Sequence, residues 1–170
     1  GANVFLTVEP GAGKTYVINQ YVQYLKTHEI EPAITASTGI AATHISGMTI
    51  HAFSGIGIRK FLSDYDLDHI ASNEYVAKRI SKTKVLIIDE ISMLSANMLD
   101  MVNSVCKEIK RNEEPFGGIQ IILVGDFFQL PPISKNEDKN EFAFYSPAWK
   151  ELKLITCYLT EQHRQDDAPF

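Results

Sequence analysis

Two short stretches of this sequence carry side chains whose types and spacing could handle a phosphate group. The first is Gly11-Ala12-Gly13-Lys14-Thr15, which follows the apolar run Val4–Val8 and precedes a helical pattern. Gly11 and Gly13 let the backbone curl so that successive N–H groups face phosphate oxygens, and the N-terminus of the next helix favours the same charge. A strand, a glycine loop and a helix in this order predict a phosphate-binding loop.

In such a loop the side chains have separate tasks. Lys14 is expected to reach the β- and γ-phosphates of a nucleoside triphosphate, and the Thr15 hydroxyl is expected to bind Mg²⁺. The predicted nucleotide-binding segment consists of Pro10, Gly11, Ala12, Gly13, Lys14, Thr15 and Tyr16. The alternative is a glycine-rich turn between strand and helix that binds nothing.

One position departs from the full pattern G-x-x-x-x-G-K-[ST]. Its first glycine would stand at position 8, where this chain has Val8. A β-branched residue does not readily adopt a positive φ, so Val8 is predicted to keep the extended conformation of the strand. Its side chain could also crowd the loop, which leaves open a weakened affinity for nucleotide.

The second stretch is Val85-Leu86-Ile87-Ile88-Asp89-Glu90, an apolar strand that ends in two carboxylates. Asp89 is expected to hold Mg²⁺ through water, because Mg²⁺ keeps several waters and binds few carboxylates. Glu90 is expected to position or deprotonate the attacking water. A strand that ends in Asp-Glu is common by itself, but together with the upstream loop it predicts machinery for ATP hydrolysis.

Hydroxyl-bearing residues also follow a shorter strand, Ala33–Ala36. Ser37, Thr38 and Gly39 would lie at the carboxyl end of this strand, the edge where open α/β sheets bind their ligands. Their hydroxyl and N–H groups suit the phosphates of a polymer backbone. An ordinary helix cap by Ser37 or Thr38 is the alternative.

Residues 47–55 form another candidate contact with nucleic acid. Thr49 can cap a short helix that is bounded by a glycine on each side. Within that helix, His51 and Phe53 could hydrogen-bond to and stack on an unpaired base. Packing inside the core is the alternative for both side chains.

Two later residues could act on the γ-phosphate. Gln129 comes just after the apolar strand 119–124, on a loop that two prolines stiffen, and from there it could orient water. Arg164 follows the last apolar strand, 154–159, where a guanidinium can reach the transition-state charge of a transferring phosphoryl group.

The elements that must position these groups alternate between strand and helix. Apolar residues at helical spacing predict a helix from Thr15 to about Thr27, and a strand at Ala33–Ala36 follows it. Ser95 is predicted to cap a further helix with one apolar face. This order predicts a three-layer α/β fold, a parallel sheet with helices on both faces.

Other regions carry weaker signals. Residues 56–73 are polar and weakly periodic, which predicts a surface excursion before a modest helix that includes Ile70 and Ile80. An aromatic cluster at 142–149 is expected to close the core, and we expect at least one of Phe127 and Phe128 to be core rather than a stacking platform. A local basic cluster is interpreted as a solvated face: Lys78, Arg79, Lys82 and Lys84.

Length and composition limit the possibilities. The 170 residues match one domain, and no apolar run approaches the ~18 residues that a membrane span needs, so no membrane partner is expected. The net charge of −5 argues against a broad basic surface for nucleic acid, although a narrow groove stays possible. Cys106 and Cys157 are interpreted as small buried hydrophobes of a reducing compartment.

The order of these motifs resembles the first motor domain of the Pif (petite integration frequency) family of 5′-to-3′ DNA helicases, relatives of the RecD helicases. The resemblance covers nearly the whole chain, and the stretch 107–132 is most particular to the family. The matching segments are 11–15, 35–42, 49–57, 89–92, 115–120, 125–132 and 164–165.

The resemblance implies one RecA-like domain of the P-loop NTPase class over residues 1–170, part of a superfamily 1 motor. That motor would hydrolyse Mg·ATP to move along single-stranded DNA inside the cell, in the cytoplasm, nucleoid or nucleus, in DNA repair and recombination. It implies catalytic roles for Lys14, Glu90, Gln129 and Arg164, with Gln129 coupling the γ-phosphate to the DNA track. It implies single-strand contacts by Ser37, Thr38, Gly39, His51 and Phe53.

Some features depart from the family pattern. Besides Val8, the sequence lacks the adenine-contacting segment and the second motor domain, so we expect this domain alone to hydrolyse ATP weakly and not to unwind DNA. One open alternative is a non-catalytic nucleic-acid-binding module of the same fold with impaired turnover. Another is a different loop-type ATPase, such as a RecD-like nuclease subunit.

Overall fold

A computed structural model describes residues 1–9, 13–127 and 142–159. Within these ranges, six parallel strands form one sheet in the order β3-β2-β4-β5-β1-β6. The strands are β1 (Val4–Val8), β2 (Ala33–Ala36), β3 (Met48–Thr49), β4 (Val85–Asp89), β5 (Gln120–Gly125) and β6 (Ile155–Leu159). Val8 keeps the predicted extended backbone and pairs in register with Leu159.

Helices connect the strands. They are α1 (Lys14–Thr27), α2 (Gly39–His44), α3 (Ile50–Ser54), α4 (Asp64–Ala71), α5 (Glu74–Lys82), α6 (Ala96–Lys110) and α7 (Pro147–Glu151). Short 3₁₀ turns occupy Ile91–Met93, Pro115–Gly118 and Ala143–Tyr145. The predicted caps are confirmed, because Thr49 and Ser95 each accept a hydrogen bond from an N–H in the first turn of the helix they precede.

Successive residues of the central strands are buried on opposite faces of the sheet. In β4, Leu86 and Ile88 pack in the larger apolar cluster together with α3, α4, α5 and α6. Val85 and Ile87 belong to a second cluster with α1. A strand buried on both faces is the signature of a parallel sheet covered by helices on each side. The predicted three-layer arrangement is therefore confirmed.

The prediction of a surface excursion over residues 56–73 is confirmed for most of its side chains, which are exposed or half-buried, but the segment also contains a helix and two core residues. Ile56 and Ile70 are buried in the core, and α4 lies within this segment. The helix begins with a capping box, in which Ser63 and Asp66 exchange side-chain-to-backbone hydrogen bonds. The following predicted helix is separate, because Asn73 caps α5. An eight-residue helix with few apolar positions is too short for a clear periodic pattern.

Two other interpretations need correction. Cys106 is buried as expected, but Cys157 is exposed, because it lies on β6 at the edge of the sheet. Arg79 is not simply part of a solvated face. Its guanidinium donates to the carbonyls of Ala52 and Phe53 and lies 5.6 Å from the centre of the Phe53 ring. It thereby ties α5 to the end of α3.

The expected aromatic cluster closes one end of the core. The ring of Phe127 lies 4.9–6.0 Å, centre to centre, from those of Phe5, Phe142, Phe144 and Trp149. The prediction that at least one of the two neighbouring phenylalanines is core is confirmed by Phe127, whereas Phe128 lies outside the described residues.

A buried amide on α6 fixes the turn before β5. Asn103 Oδ1 accepts a hydrogen bond of 2.7 Å from the backbone N–H of Phe116. Phe116 is fully buried and has a φ of 53°, a conformation that a bulky residue rarely adopts. The side chain of Asn103 therefore satisfies a strained backbone that has no access to water.

We predict that Asn103→Ala lowers the free energy of unfolding by about 1–3 kcal/mol, because it leaves the Phe116 N–H buried without an acceptor. Ser104→Ala, one residue further along the same helix on its exposed side, is the control and should change stability by less than about 0.5 kcal/mol. Chemical denaturation measures both. Equal stabilities for the two variants would contradict this role of Asn103.

Candidate active site

The carboxyl ends of four strands place the predicted chemical groups along one edge of the sheet. Because all strands are parallel, the segments that follow β1, β2, β3 and β4 emerge on the same side. Gly13 and Lys14 come after β1, Ser37 comes after β2, and Glu90 comes after β4. Lys14, which follows the predicted loop, and the two carboxylates therefore lie at the same edge of the sheet.

Lys14 contacts both acidic residues. Its Nζ lies 3.2 Å from Asp89 Oδ1 and 3.1 Å from Glu90 Oε1. Gly13, which has a φ of 83°, precedes α1 and turns the chain so that Lys14 is the first helical residue. The pairing crosses β5, which lies between β1 and β4 in the sheet. One ammonium thus faces two carboxylates.

The end of β5 is shaped to allow this crossing. A Cβ atom on Gly125 would lie 2.9 Å from Cγ2 and 3.1 Å from the backbone N of Ile91, the residue after Glu90. Such distances are too short for any side chain, so the turn after β4 packs directly on the backbone of β5. The sequence signals this role of Gly125 only by a glycine at the end of an apolar strand.

Burial shapes the charges of the site. Asp89 is only 2% exposed, and this burial raises its pKa, although the positive charge of Lys14 acts in the opposite direction. Burial also disfavours the charged form of Lys14, but Asp89 and Glu90 outweigh it, so the pKa of Lys14 is raised. Lys14 stays positively charged at neutral pH, and a partly uncompensated negative charge remains on the carboxylates.

Glu90 has an unusual backbone. Its φ and ψ are 56° and 44°, the left-handed conformation, which costs a residue other than glycine about 1–2 kcal/mol. Its N–H donates to Asp89 Oδ1 at 2.8 Å, and its carbonyl accepts a hydrogen bond of 2.7 Å from Ser37 Oγ. These bonds hold the backbone of Glu90 at the point where β4 leaves the sheet.

The donor set fits a magnesium ion bound together with phosphates. Two carboxylates against one lysine leave excess negative charge, and oxygen is the ligand atom that Mg²⁺ prefers. The described residues contain no group of three or more His, Cys, Asp or Glu side chains arranged to hold a metal alone. Mg²⁺ is usually bound by one or two carboxylates plus substrate phosphates, which agrees with this arrangement.

Several predicted nucleotide contacts are less well defined. Pro10, Gly11 and Ala12 lie outside the described residues, as do Gln129 and Arg164. Thr15 and Tyr16 are exposed on the first turn of α1, and Tyr16 is 64% exposed. Their roles stay predictions.

The predicted DNA contacts divide into two groups. Thr38 caps α2 by accepting from the Ala41 N–H, Gly39 is exposed, and His51 is half-buried with a pKa that burial lowers. Two predictions need correction. Phe53 is only 1% exposed and packs in the core, so its ring cannot stack on a base. The hydroxyl of Ser37 donates inward to Glu90, where sequence analysis placed a phosphate contact.

One further hydroxyl near the site was given no role by sequence analysis. Ser92, two residues after Glu90, is 1% exposed, and in the part of the chain that the structure describes its Oγ has no hydrogen-bond partner. No sequence pattern distinguishes it from an ordinary buried serine.

No helix among the described residues is both long and apolar enough to cross a membrane.

Comparison with known proteins agrees with this geometry. The sequence profile described as "PIF1-like helicase" matches residues 1–169. The chain belongs to the PIF1-like helicase family. The family resemblance predicted from the motifs is thereby confirmed.

Among curated family members, the ATP-dependent DNA helicase Pif1 of Psychrobacter sp. (strain PRwf-1) is 52% identical over 167 residues, which are 97% of this chain and 25% of that protein. The crystal structure of Pif1 helicase from Candida albicans matches with a TM-score of 0.86 and 40% identity over 94% of this chain and 36% of the other. Pif1 helicase from Bacteroides in complex with ADP-AlF3 and ssDNA matches with a TM-score of 0.79 and 33% identity over 94% and 38%.

These matches confirm the RecA-like fold that the motif order predicted. The chain spans about a fifth to a quarter of the length of the curated relatives that it matches.

We predict that Asp89→Asn leaves the fold at least as stable as the wild type at pH 7. The pKa of Asp89 is higher in the folded chain than in the unfolded chain, so its contribution to stability is present below the unfolded-state pKa and is lost as pH rises through the folded-state pKa. The unfolding free energy of Asp89→Asn, relative to that of the wild type, should therefore increase as the pH rises from about 4 to about 7.

Thermal unfolding across that pH range measures the gap. Asp68→Asn removes an exposed carboxylate and serves as the control for a change of one charge. The prediction would be contradicted if, at pH 7, Asp89→Asn lost more unfolding free energy relative to the wild type than Asp68→Asn does. That result would show that the buried carboxylate stabilises the fold.

Proposed function

We propose that this chain is the ATP-binding motor domain at the N-terminal side of a longer 5′-to-3′ DNA helicase that moves on single-stranded DNA. The observation that carries the proposal is the pairing of Lys14 with Asp89 and Glu90 at the carboxyl edge of a parallel sheet. The match of the family profile over residues 1–169 supports it. The relatives are named ATP-dependent DNA helicases.

In this proposal Lys14 changes partners when ATP binds. Its ammonium lies 3.1–3.2 Å from carboxylate oxygens of Asp89 and Glu90. Rotation of the lysine side chain would turn this ammonium toward the β- and γ-phosphates, which offer it charged acceptors of the same kind. The N-terminus of α1, which begins at Lys14, favours the same negative charge. Thr15 and Asp89 would hold Mg²⁺, which neutralises charge on the phosphate oxygens.

Glu90 is proposed as the general base. Once Lys14 turns toward the phosphates, the Glu90 carboxylate is free to accept a proton from the attacking water. The backbone bonds from Ser37 and to Asp89 keep it in place during this step. Gln129 and Arg164 are proposed to orient that water and to stabilise the γ-phosphate charge, as the family resemblance implies.

Single-stranded DNA is the proposed polymer partner. Thr38, Gly39 and His51 follow β2 and β3 along the same edge of the sheet as the ATP site. The Bacteroides relative has been crystallised with ssDNA. The second motor domain, with the other half of the ATP site, is proposed to lie elsewhere in the parent chain, because the relatives are about four times as long.

We predict that Glu90→Gln lowers the rate of ATP hydrolysis by about 100-fold or more while ATP affinity changes little, because the amide cannot accept the proton but keeps the shape of the side chain. The assay uses the parent chain with its second domain, in steady-state hydrolysis and in binding of a fluorescent ATP analogue. Glu108→Gln is the control, since it removes an exposed carboxylate near the end of α6.

The same assay tests the alternative of a non-catalytic binding module, in which Val8 impairs ATP turnover. Hydrolysis of ATP by the wild-type parent chain, which carries Val8, would eliminate that alternative. Retention of full turnover by Glu90→Gln would contradict the assignment of Glu90 as the base.

We predict that the 170-residue chain alone does not separate DNA strands. Translocation needs two domains that close on ATP and open after hydrolysis. A strand-displacement assay on a substrate with a 5′ single-stranded tail tests this, with the parent chain as the positive control. Robust unwinding by the isolated chain would contradict the two-domain mechanism.

A further inference from the structure

Ser37 links the two functional segments of this edge of the sheet. It follows the last residue of β2 and is 8% exposed. Its backbone N–H donates to the carbonyl of Asp89 at 3.1 Å, and its Oγ donates to the carbonyl of Glu90 at 2.7 Å. One residue therefore holds the main chain of both acidic residues.

The residues that follow Ser37 in the sequence, Thr38 and Gly39, form part of the candidate DNA surface. Thr38 is the next residue and caps α2 with its hydroxyl. Gly39 is exposed, and among the described residues no atom beyond its chain neighbours and its own helix backbone lies within 4 Å of the position that its Cβ would occupy. Thr38 is joined to Ser37 by a single planar peptide unit, so Ser37 is the first residue that a displacement of Thr38 and Gly39 can reach on this side.

The conformation of Glu90 makes this link consequential. A residue in the left-handed region is held there by its surroundings, and the Ser37 Oγ bond to the Glu90 carbonyl is one of the bonds that hold it. The carbonyl and the carboxylate belong to the same residue. Rotation of the backbone that breaks this bond also redirects the side chain that carries the proposed base.

We propose that Ser37 is a positioning residue that couples occupation of the Thr38–Gly39 surface by single-stranded DNA to the orientation of Glu90, and thereby to the rate of ATP hydrolysis. This inference rests on the proposed function. It replaces the expected phosphate contact of the Ser37 hydroxyl by an inward one.

The test uses Ser37→Ala in the parent chain with its second domain. The chain offers a control, because Thr35 Oγ1 on β2 donates to the carbonyl of Ile87 on β4 at 2.8 Å. This is the same kind of side-chain-to-backbone bond, with its donor two residues before Ser37 and its acceptor three residues before Glu90. Thr35→Val removes that bond and keeps the shape of the side chain. Ser37→Cys, close in volume to serine, gives a second readout in case the alanine variant does not fold.

Two quantities are measured for each variant: the ratio of ATP hydrolysis with and without oligo-dT, and the dissociation constant for the same oligonucleotide. For Ser37→Ala the ratio should fall about fivefold, the effect of losing one hydrogen bond of ~1 kcal/mol, while the dissociation constant stays within about twofold. Thr35→Val should leave both quantities within about twofold of the wild type.

Three results would overturn the inference alone. These are an unchanged ratio in Ser37→Ala, a dissociation constant that rises by the same factor as the ratio falls, and an equal loss in Thr35→Val. A dissociation constant that rises by the same factor would indicate that Ser37 contacts DNA directly. An equal loss in Thr35→Val would indicate a general loss of structure. A wild-type parent chain that shows no ATP hydrolysis or no stimulation by DNA would instead refute the proposed function itself.

Discussion

The site depends on a charge imbalance at one edge of the sheet. Asp89 and Glu90 supply two carboxylates, and Lys14 reaches them from the other side of β5 with one ammonium. Burial makes the charge on Asp89 unfavourable, as its raised pKa shows. Such a cluster attracts a further positive charge and lets its lysine exchange one anionic partner for another. Both properties suit a site for magnesium and a triphosphate.

The parallel order of the strands brings the lysine and the two carboxylates to the same edge of the sheet. Parallel pairing puts the ends of β1, β2 and β4 on the same side, and the bare backbone of Gly125 lets the turn after β4 pack against β5. The apolar clusters on both faces of the sheet hold these strand ends in fixed positions. The strained left-handed backbones of Glu90, after β4, and of Phe116, before β5, both lie outside the paired strands.

The sequence predicted the parts of this arrangement that depend on local patterns. Apolar runs located β1, β2, β4, β5 and β6, and the glycine loop with its lysine located the start of α1. The sequence did not predict α4, because a helix with only Leu67 and Ile70 on its inner side has too little periodicity.

Exposure and hydrogen-bond direction were also beyond the reach of sequence patterns. Cys157 and Phe53 show this, since one is exposed at a sheet edge and the other is buried beneath Arg79. The inward bond of Ser37 depends on β2 lying next to β4, a neighbourhood that the chain order alone does not define. The sequence located this hydroxyl at the end of β2, but its partner could be found only in three dimensions.

The most direct test of the central claim is equilibrium binding of a non-hydrolysable ATP analogue to the 170-residue chain by titration calorimetry, with and without Mg²⁺. The ammonium of Lys14 and the carboxylate of Asp89 should both matter. We therefore expect saturable one-to-one binding that weakens when Mg²⁺ is removed and is lost in Lys14→Ala. Binding that is equally tight in Lys14→Ala, or that does not respond to Mg²⁺, would contradict the claim that this lysine and these carboxylates form the nucleotide site.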